Sequence, residues 1–370
     1  MKRYILYGAG TEAEKFIYNY KDLLSQIEYC IDASKTGYFH NIPIYTLDTA
    51  PTLENHMILV TARWDLYKEI RNILFTKNLR EFDNFIWCNY FDKKKVVINA
   101  NCHGAAIEQY LNLSPYFRNH FCITPIPLIQ ENKAGSIDKS LLLDCDVFIH
   151  QDIQAANSIS YYLSDEYIIP LLKNDCLNIT IPNMVGMGNW CFPSQGKILR
   201  FPNLDRNICF ENSVLEEAYS KGARTLMEFE NFFNNYTYNP AELNALFSKD
   251  MEKIKQREPN WDIKMSSFIL ENYKEIPLFN DAGHPSKYTM LYIAKIVAQL
   301  LGINDITDYS HYDPSLGIPY PILPCVKQHF HLEYENDYEL IANHMVHKPS
   351  SCTLSDYIKY YFWFTRELIL

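Results

Sequence analysis

Nine residues, Val96-Val97-Ile98-Asn99-Ala100-Asn101-Cys102-His103-Gly104, hold the richest chemistry in this 370-residue chain. An apolar run stops in the polar tetrad Asn-Cys-His-Gly, and a helix-type segment, Ala105 to Leu111, follows at once. A strand that ends where a helix begins offers backbone N–H groups and the positive end of a helix dipole. A thiol at such a turn ionises more readily than a free one, which suits a nucleophile or a holder of developing negative charge. Far downstream, Asp281-Ala282-Gly283-His284-Pro285-Ser286 opens a second helix through Leu291, Ile293, Ala294, Val297, Leu300 and Leu301. The i, i+3 spacing of Asp281 and His284 lets one loop hold both, so that the carboxylate orients the imidazole and stabilises its cation. The plainer alternatives are a buried thiol for Cys102 and a helix cap for Asp281.

The elements that position these groups sit in an ordinary globular composition: 48% hydrophobic, 21% charged, net charge −10. The acidic balance argues against a nucleic-acid surface. Its one basic run, Lys93-Lys94-Lys95, reads as a solvated turn before a strand. No stretch approaches the roughly 18 apolar residues of a membrane span. Met1-Lys2-Arg3 leads into too short an apolar run for a signal peptide. The ten cysteines, without a C-x-x-C pair, read as reduced thiols in a cytoplasmic protein, with no structural zinc. His329-x-His331 would share a face on a strand, with no third metal ligand in sight. The other late histidines, His311, His344 and His347, show no ligand spacing.

The first ninety residues alternate strands and helices. Arg3–Tyr7, Ile27–Ile31, Ile42–Tyr45, Met57–Thr61 and Phe85–Trp87 read as strands, with helices after Gly10 and over Trp64–Phe75. Gly8-Ala9-Gly10, with Ala13 where a third glycine would stand and Asp32 after the second strand, is the turn of a βαβ nucleotide-binding unit. A tight turn needs those glycines whether or not a phosphate binds. With Asn41 to Ile44, the stretch resembles Rossmann-like modules at the N-terminus of sugar-modifying and polysaccharide-assembly enzymes. That likeness implies a nucleotide or nucleotide-sugar ligand.

The polar stretch Asn89 to Lys95 reads as a linker, giving domains over 1–92 and 95–370. In the second, Asp146–Asp152 and Leu177–Asn183 are further strands. Groups that act on ligands collect at the carboxyl ends of strands in open α/β sheets, and His150, Gln151 and Asn183 fall there. From Ser213 onward the pattern is mainly helical, with helices over Ala241–Lys255, Lys287–Leu301 and Thr353–Leu368.

Taken together, Asn101-Cys102-His103-Gly104, Phe148 to Gln151 and Asp281 to Ser286 make the second domain resemble the WcbI-type polysaccharide-biosynthesis family, from about Val96 nearly to the C-terminus. The order also looks like a distant SGNH/GDSL hydrolase plan, with cysteine in place of serine and no Gly-x-Asn-Asp block. The resemblance implies an α/β fold: an N-terminal Rossmann-like parallel sheet, then a larger, helix-rich SGNH-like domain. It further implies a coenzyme A-binding acyltransferase that moves acetyl from acetyl-coenzyme A to a sugar or glycan hydroxyl. In that scheme Cys102, Asp281 and His284 are catalytic, and Asn101 with the N–H groups of His103 and Gly104 holds the oxyanion. His150, Gln151 and Asn183 contact the acceptor, while Lys287, Arg200, Arg206 and Arg224 are candidates for the coenzyme A phosphates. Cys102 either carries the acyl group or only lines the pocket. A carbohydrate esterase and a non-catalytic glycan or nucleotide-sugar binding module are the rival readings, and oligomeric state is not indicated.

Overall fold

Strand β1 (Arg3–Tyr7) buries four consecutive residues, as a central parallel strand covered on both faces must. In the computed structural model, which describes residues 3–200, 207–306, 313–314, 319–338, 353–366, 368 and 370, it lies within a six-stranded sheet. With β2 (Ile27–Ile31), β3 (Gly37–Phe39), β4 (Ile42–Tyr45), β5 (His56–Val60) and β6 (Phe85–Trp87), the order is β3-β4-β2-β1-β5-β6. All pairings are parallel except β3 with β4. Strand order reverses at β1, which has β2 on one side and β5 on the other. Helix α1 (Thr11–Asn19) buries Ala13, Phe16 and Ile17, and α2 (Trp64–Thr76) buries Tyr67, Ile70 and Leu74, each a single helical stripe.

A second, four-stranded sheet has the order β10-β9-β7-β8, from β7 (Lys94–Asn99), β8 (Phe121–Ile123), β9 (Val147–Gln151) and β10 (Leu177–Ile181). Here one expectation changes. Lys94 and Lys95 belong to β7 rather than to a solvated turn. Lys95 is accommodated because Asp144 receives its ammonium and Asp146 accepts its backbone N–H at 2.6 Å. Within Asn89–Lys95, Tyr90 is buried and hydrogen-bonds Thr124 through its hydroxyl at 2.9 Å.

The chain packs as two compact units. One comprises Met1–Asn99, Pro115–Ile149 and Ile153–Asn178; the other comprises Ala100–Ser114, His150–Asp152 and Ile179–Leu370. The second unit is mostly helical, with Ser213–Ser220, Leu226–Asn234, Pro240–Arg257, Lys287–Leu300 and Leu354–Arg366 as its main helices. Thr225 and Glu228 close a capping box on the second of these, and Asn239 with Pro240 starts the third. Three segments remote in sequence thereby meet in one unit, and they carry the Cys102 turn, Gln151 and the Asp281–His284 pair. Among the described residues no helix is long and apolar enough to cross a membrane.

Gly8 shows why the first turn demands glycine. Its φ is +113°, and a Cβ there would lie 2.7 Å from the Thr61 carbonyl oxygen. Gly10, in extended geometry before α1, has open space around it. Gly8→Ala should therefore cost about 1–3 kcal/mol, read as a fall in urea midpoint, whereas Gly10→Ala should cost under about 1 kcal/mol. Equal midpoints for the two variants would contradict this account.

Candidate active site

Asn101 starts helix α3 (Cys102–Leu111) as its N-cap. Its Oδ1 accepts the His103 N–H at 2.9 Å, and its carbonyl accepts the Gly104 N–H at 2.9 Å. The two backbone donors expected to hold an oxyanion are thus committed to Asn101. Among the described residues, the first-turn N–H of Cys102 and the side-chain N–H2 of Asn101 are the donors left at this turn. Cys102 is half-buried at the first helical position, and the rest of α3 buries Ala106, Ile107, Tyr110 and Leu111. The helix packs against Lys287–Leu300, where the Tyr110 hydroxyl donates to the Lys287 carbonyl at 3.1 Å.

Residues 279–285 do not open that helix directly. They fold back as a hairpin, β11 (Phe279–Asp281) against β12 (His284–Pro285), and the helix starts two residues later. Asp281 closes its own turn rather than capping the helix. Its Oδ1 accepts the N–H groups of Gly283 (2.7 Å) and His284 (3.0 Å), and its Oδ2 lies 2.9 Å from His284 Nδ1. The Asp281 side chain is wholly buried, while His284 keeps 27% of its side chain exposed. Cys102 also acts electrostatically on the imidazole. Asp281 and His284 are thus in direct hydrogen-bond contact, with the Cys102 sulfur as the second group that acts on the ring.

The two imidazoles near this thiol are in opposite states. Burial works against a charge on His284, but hydrogen bonds and the negative charge from Asp281 and Cys102 prevail and lift it to about 10. His103 is completely buried, and that burial, with repulsion from His284, lowers it to about 3.

The other expected residues lie as follows. His150 is buried, with Nδ1 3.0 Å from the Gln151 carbonyl and Nε2 3.2 Å from Thr180 Oγ1. Gln151 is buried and faces Asn101 and His103. Asn183 accepts the Val185 N–H at 3.2 Å in the turn after β10. Lys287 is half-buried, its ammonium 5.2 Å from the centre of the Tyr288 ring. Arg224 donates to the Tyr219 and Ala223 carbonyls, while Arg206 and the Arg200 side chain lie outside the described residues. In the other unit, Asp32 accepts the Ala9 N–H at 2.9 Å and those of Ser34 and Lys35, so its carboxylate ties the glycine turn to its own loop. His329 bonds Asn244, and His331 has φ +53° where the helix Pro324–Phe330 ends, so the two do not share a strand face. His311, His344 and His347 lie outside the described residues.

Other residues matter that sequence reasoning passed over. A Cβ on Gly188 would come within 2.9 Å of the Phe279 ring and 3.0 Å of the Asp281 carbonyl oxygen. Its N–H donates to Ala282 at 3.2 Å. Gln195 accepts the Ala282 N–H at 2.9 Å. Buried Asp250 accepts from the N–H groups of Asn189 (2.8 Å) and Trp190 (3.3 Å), fixing the loop that carries Gly188. Gly-Met-Gly-Asn-Trp was the available signal, a glycine pair beside a large aromatic.

A mixed α/β fold with a buried carboxylate–histidine pair, on which a cysteine at a helix start also acts, defines an enzyme-type site. The family model of the polysaccharide biosynthesis enzyme WcbI matches residues 95–305, and the chain belongs to that family. A solved structure of WcbI is similar in fold, with a TM-score of 0.50 and 15% identity over 66% of this chain and 82% of that one. It is described as a novel polysaccharide biosynthesis enzyme, in native form without a disulfide bond between coenzyme A and one of its cysteines. No curated protein matches the chain.

The raised His284 has a measurable consequence. Since its folded value lies above the 6.5 of a free imidazole, the stability it contributes is complete below about pH 6.5 and lost as pH rises through about 10. Histidine NMR should find His284 protonated through neutral pH, and Asp281→Asn should move its titration down toward the ordinary range. A His284 that titrates near 6.5 in the native chain would contradict the arrangement.

Proposed function

We propose that this chain is an O-acetyltransferase of polysaccharide biosynthesis, with acetyl-coenzyme A as acyl donor and a sugar hydroxyl as acceptor. The observation that carries the reading is buried Asp281 hydrogen-bonded to His284, a ring on which the Cys102 sulfur at the start of α3 also acts. Cys102 supplies the sulfur, and His284 supplies a proton that a departing thiol can take. The coenzyme A named with the solved WcbI structure supports a thioester donor. So does the donor set here: a thiol, a proton source and unclaimed N–H groups at one turn.

In this reading Cys102 attacks the acetyl carbonyl carbon and takes the acyl group. The Cys102 N–H and the Asn101 amide face the oxygen that gains charge. His284 gives its proton to the departing coenzyme A sulfur, whose bond to the carbonyl breaks. Exchange of one thioester for another is nearly thermoneutral. His284, now neutral and still held by Asp281, takes the proton of the sugar hydroxyl as that oxygen attacks the acetyl-cysteine. The carbon–sulfur bond to Cys102 breaks, the ester leaves, and thiolate and imidazolium are restored. The raised His284 thus serves as acid first and as base only after its proton has left.

The N-terminal unit, with its Gly8-to-Gly10 turn and Asp32, is proposed to take a nucleotide or nucleotide sugar, and the chain is proposed to act in the cytoplasm.

Two results should follow. Coenzyme A and acetyl-coenzyme A should raise the melting temperature of the full chain, since a ligand bound only by the native state stabilises it by mass action. His284→Ala and Cys102→Ser should each lower acetyl transfer roughly a hundred-fold or more. Release of acetate from an acetylated glycan without any coenzyme A effect on melting would favour an esterase instead. Full activity in a folded Cys102→Ser variant would refute the covalent route.

A further inference from the structure

We propose that Gln151 is a positioning residue: it fixes His103 as the neutral tautomer with an unprotonated Nδ1, and it leaves the N–H2 of Asn101 as that residue's free donor. The assignment rests on two backbone N–H groups, which can only donate. The His103 N–H meets Asn101 Oδ1 at 2.9 Å, so that atom is the carboxamide oxygen. The Asn101 N–H meets Gln151 Oε1 at 3.2 Å, so the other terminal atom of Gln151 is its N–H2. That nitrogen lies 3.2 Å from Asn101 Oδ1 and 3.2 Å from His103 Nδ1, with one hydrogen for each. Nδ1 must accept. The ring proton of His103 then sits on Nε2, buried toward the Pro182 carbonyl without a well-aligned hydrogen bond.

The consequence is a division of protons between two imidazoles. Among the described residues His284 is the one charged group that acts on His103; Gln151, Asn101 and Pro182 are neutral. Asp281 and Cys102 act on His284. To protonate His103, the Gln151 donation would have to break and a second cation would sit near the imidazolium of His284. The proton therefore stays on His284, beside the sulfur. Both ends of Gln151 are occupied, so it acts through the turn rather than on an acceptor sugar. The effect on reactivity rests on Cys102 being the nucleophile; the tautomer does not.

Nitrogen-15 NMR of the histidine-labelled full chain tests the tautomer, and peptide-mapped iodoacetamide alkylation of Cys102 across pH tests its effect. In the native chain His103 should stay neutral with Nδ1 unprotonated at neutral pH. Gln151→Glu, whose carboxylate can only accept at Nδ1, should move the proton to Nδ1 or let His103 titrate at higher pH. It should also slow Cys102 alkylation at neutral pH roughly tenfold, the lower end of the scale for losing an outer-shell partner. A protonated Nδ1 in native His103 would overturn the proposal even if Gln151→Glu fails to fold, and so would an unchanged His103 in a folded Gln151→Glu. If native Cys102 alkylates no faster than the other cysteines, the nucleophile assignment fails, and the NMR alone decides the tautomer.

Discussion

A carboxylate with no exposure to water must be compensated where it stands, and Asp281 is such a group. An isolated buried charge is costly enough that breaking a buried pair typically costs roughly 3–5 kcal/mol. Asp281 is compensated by two N–H groups of its own turn and by the ring of His284. That requirement reaches outward. The turn can close this tightly only because the hairpin is short. The hairpin is held by Gly188, which has no Cβ to collide with it, and by Gln195 on the Ala282 N–H. Asp250 in turn holds the Gly188 loop. Geometry at one carboxylate thus depends on residues thirty to ninety positions upstream.

From that anchor the electrostatics of the site follow. The charge on Asp281 keeps His284 protonated, the protonated ring faces the Cys102 sulfur, and a second cation nearby becomes unfavourable, which helps keep His103 neutral. Structure and reactivity are linked through a single proton whose place is set by which imidazole has an anionic neighbour. Helix α3 supplies the rest, the positive end of its dipole lying where Cys102 begins it.

Much of this was legible in the sequence, for identifiable reasons. Arg3–Tyr7, Ile27–Ile31 and Ile42–Tyr45 coincide with β1, β2 and β4, because short runs rich in isoleucine and tyrosine bounded by turn residues such as Gly8, Asp32 and Asn41 read as strands. Cys102, Asp281 and His284 stood out because polar, glycine-bearing segments interrupted apolar runs before helices, and the fold pairs Asp281 with His284 where Cys102 also acts on the ring. The WcbI family was legible from the same segments. What escaped notice was long-range. The partners of Gln151 lie about fifty residues upstream, and the neighbours of Gly188 about ninety downstream, so no local pattern records them. The capture of the His103 and Gly104 N–H groups was local: Asn101 is a strong N-cap type, and a capped turn spends those donors on itself. The lysines at 94 and 95 misled because their compensating aspartates, Asp144 and Asp146, come from a distant segment.

The central claim is that Cys102 takes the acyl group with His284 as its proton partner. Intact-protein mass measurement after brief exposure of the full chain to acetyl-coenzyme A, without any acceptor, tests it most directly. One acetyl group should be found, mapped to Cys102, absent from Cys102→Ala and discharged when a suitable sugar is added. An unmodified Cys102 in chain that demonstrably binds acetyl-coenzyme A and transfers acetyl to the sugar would contradict it.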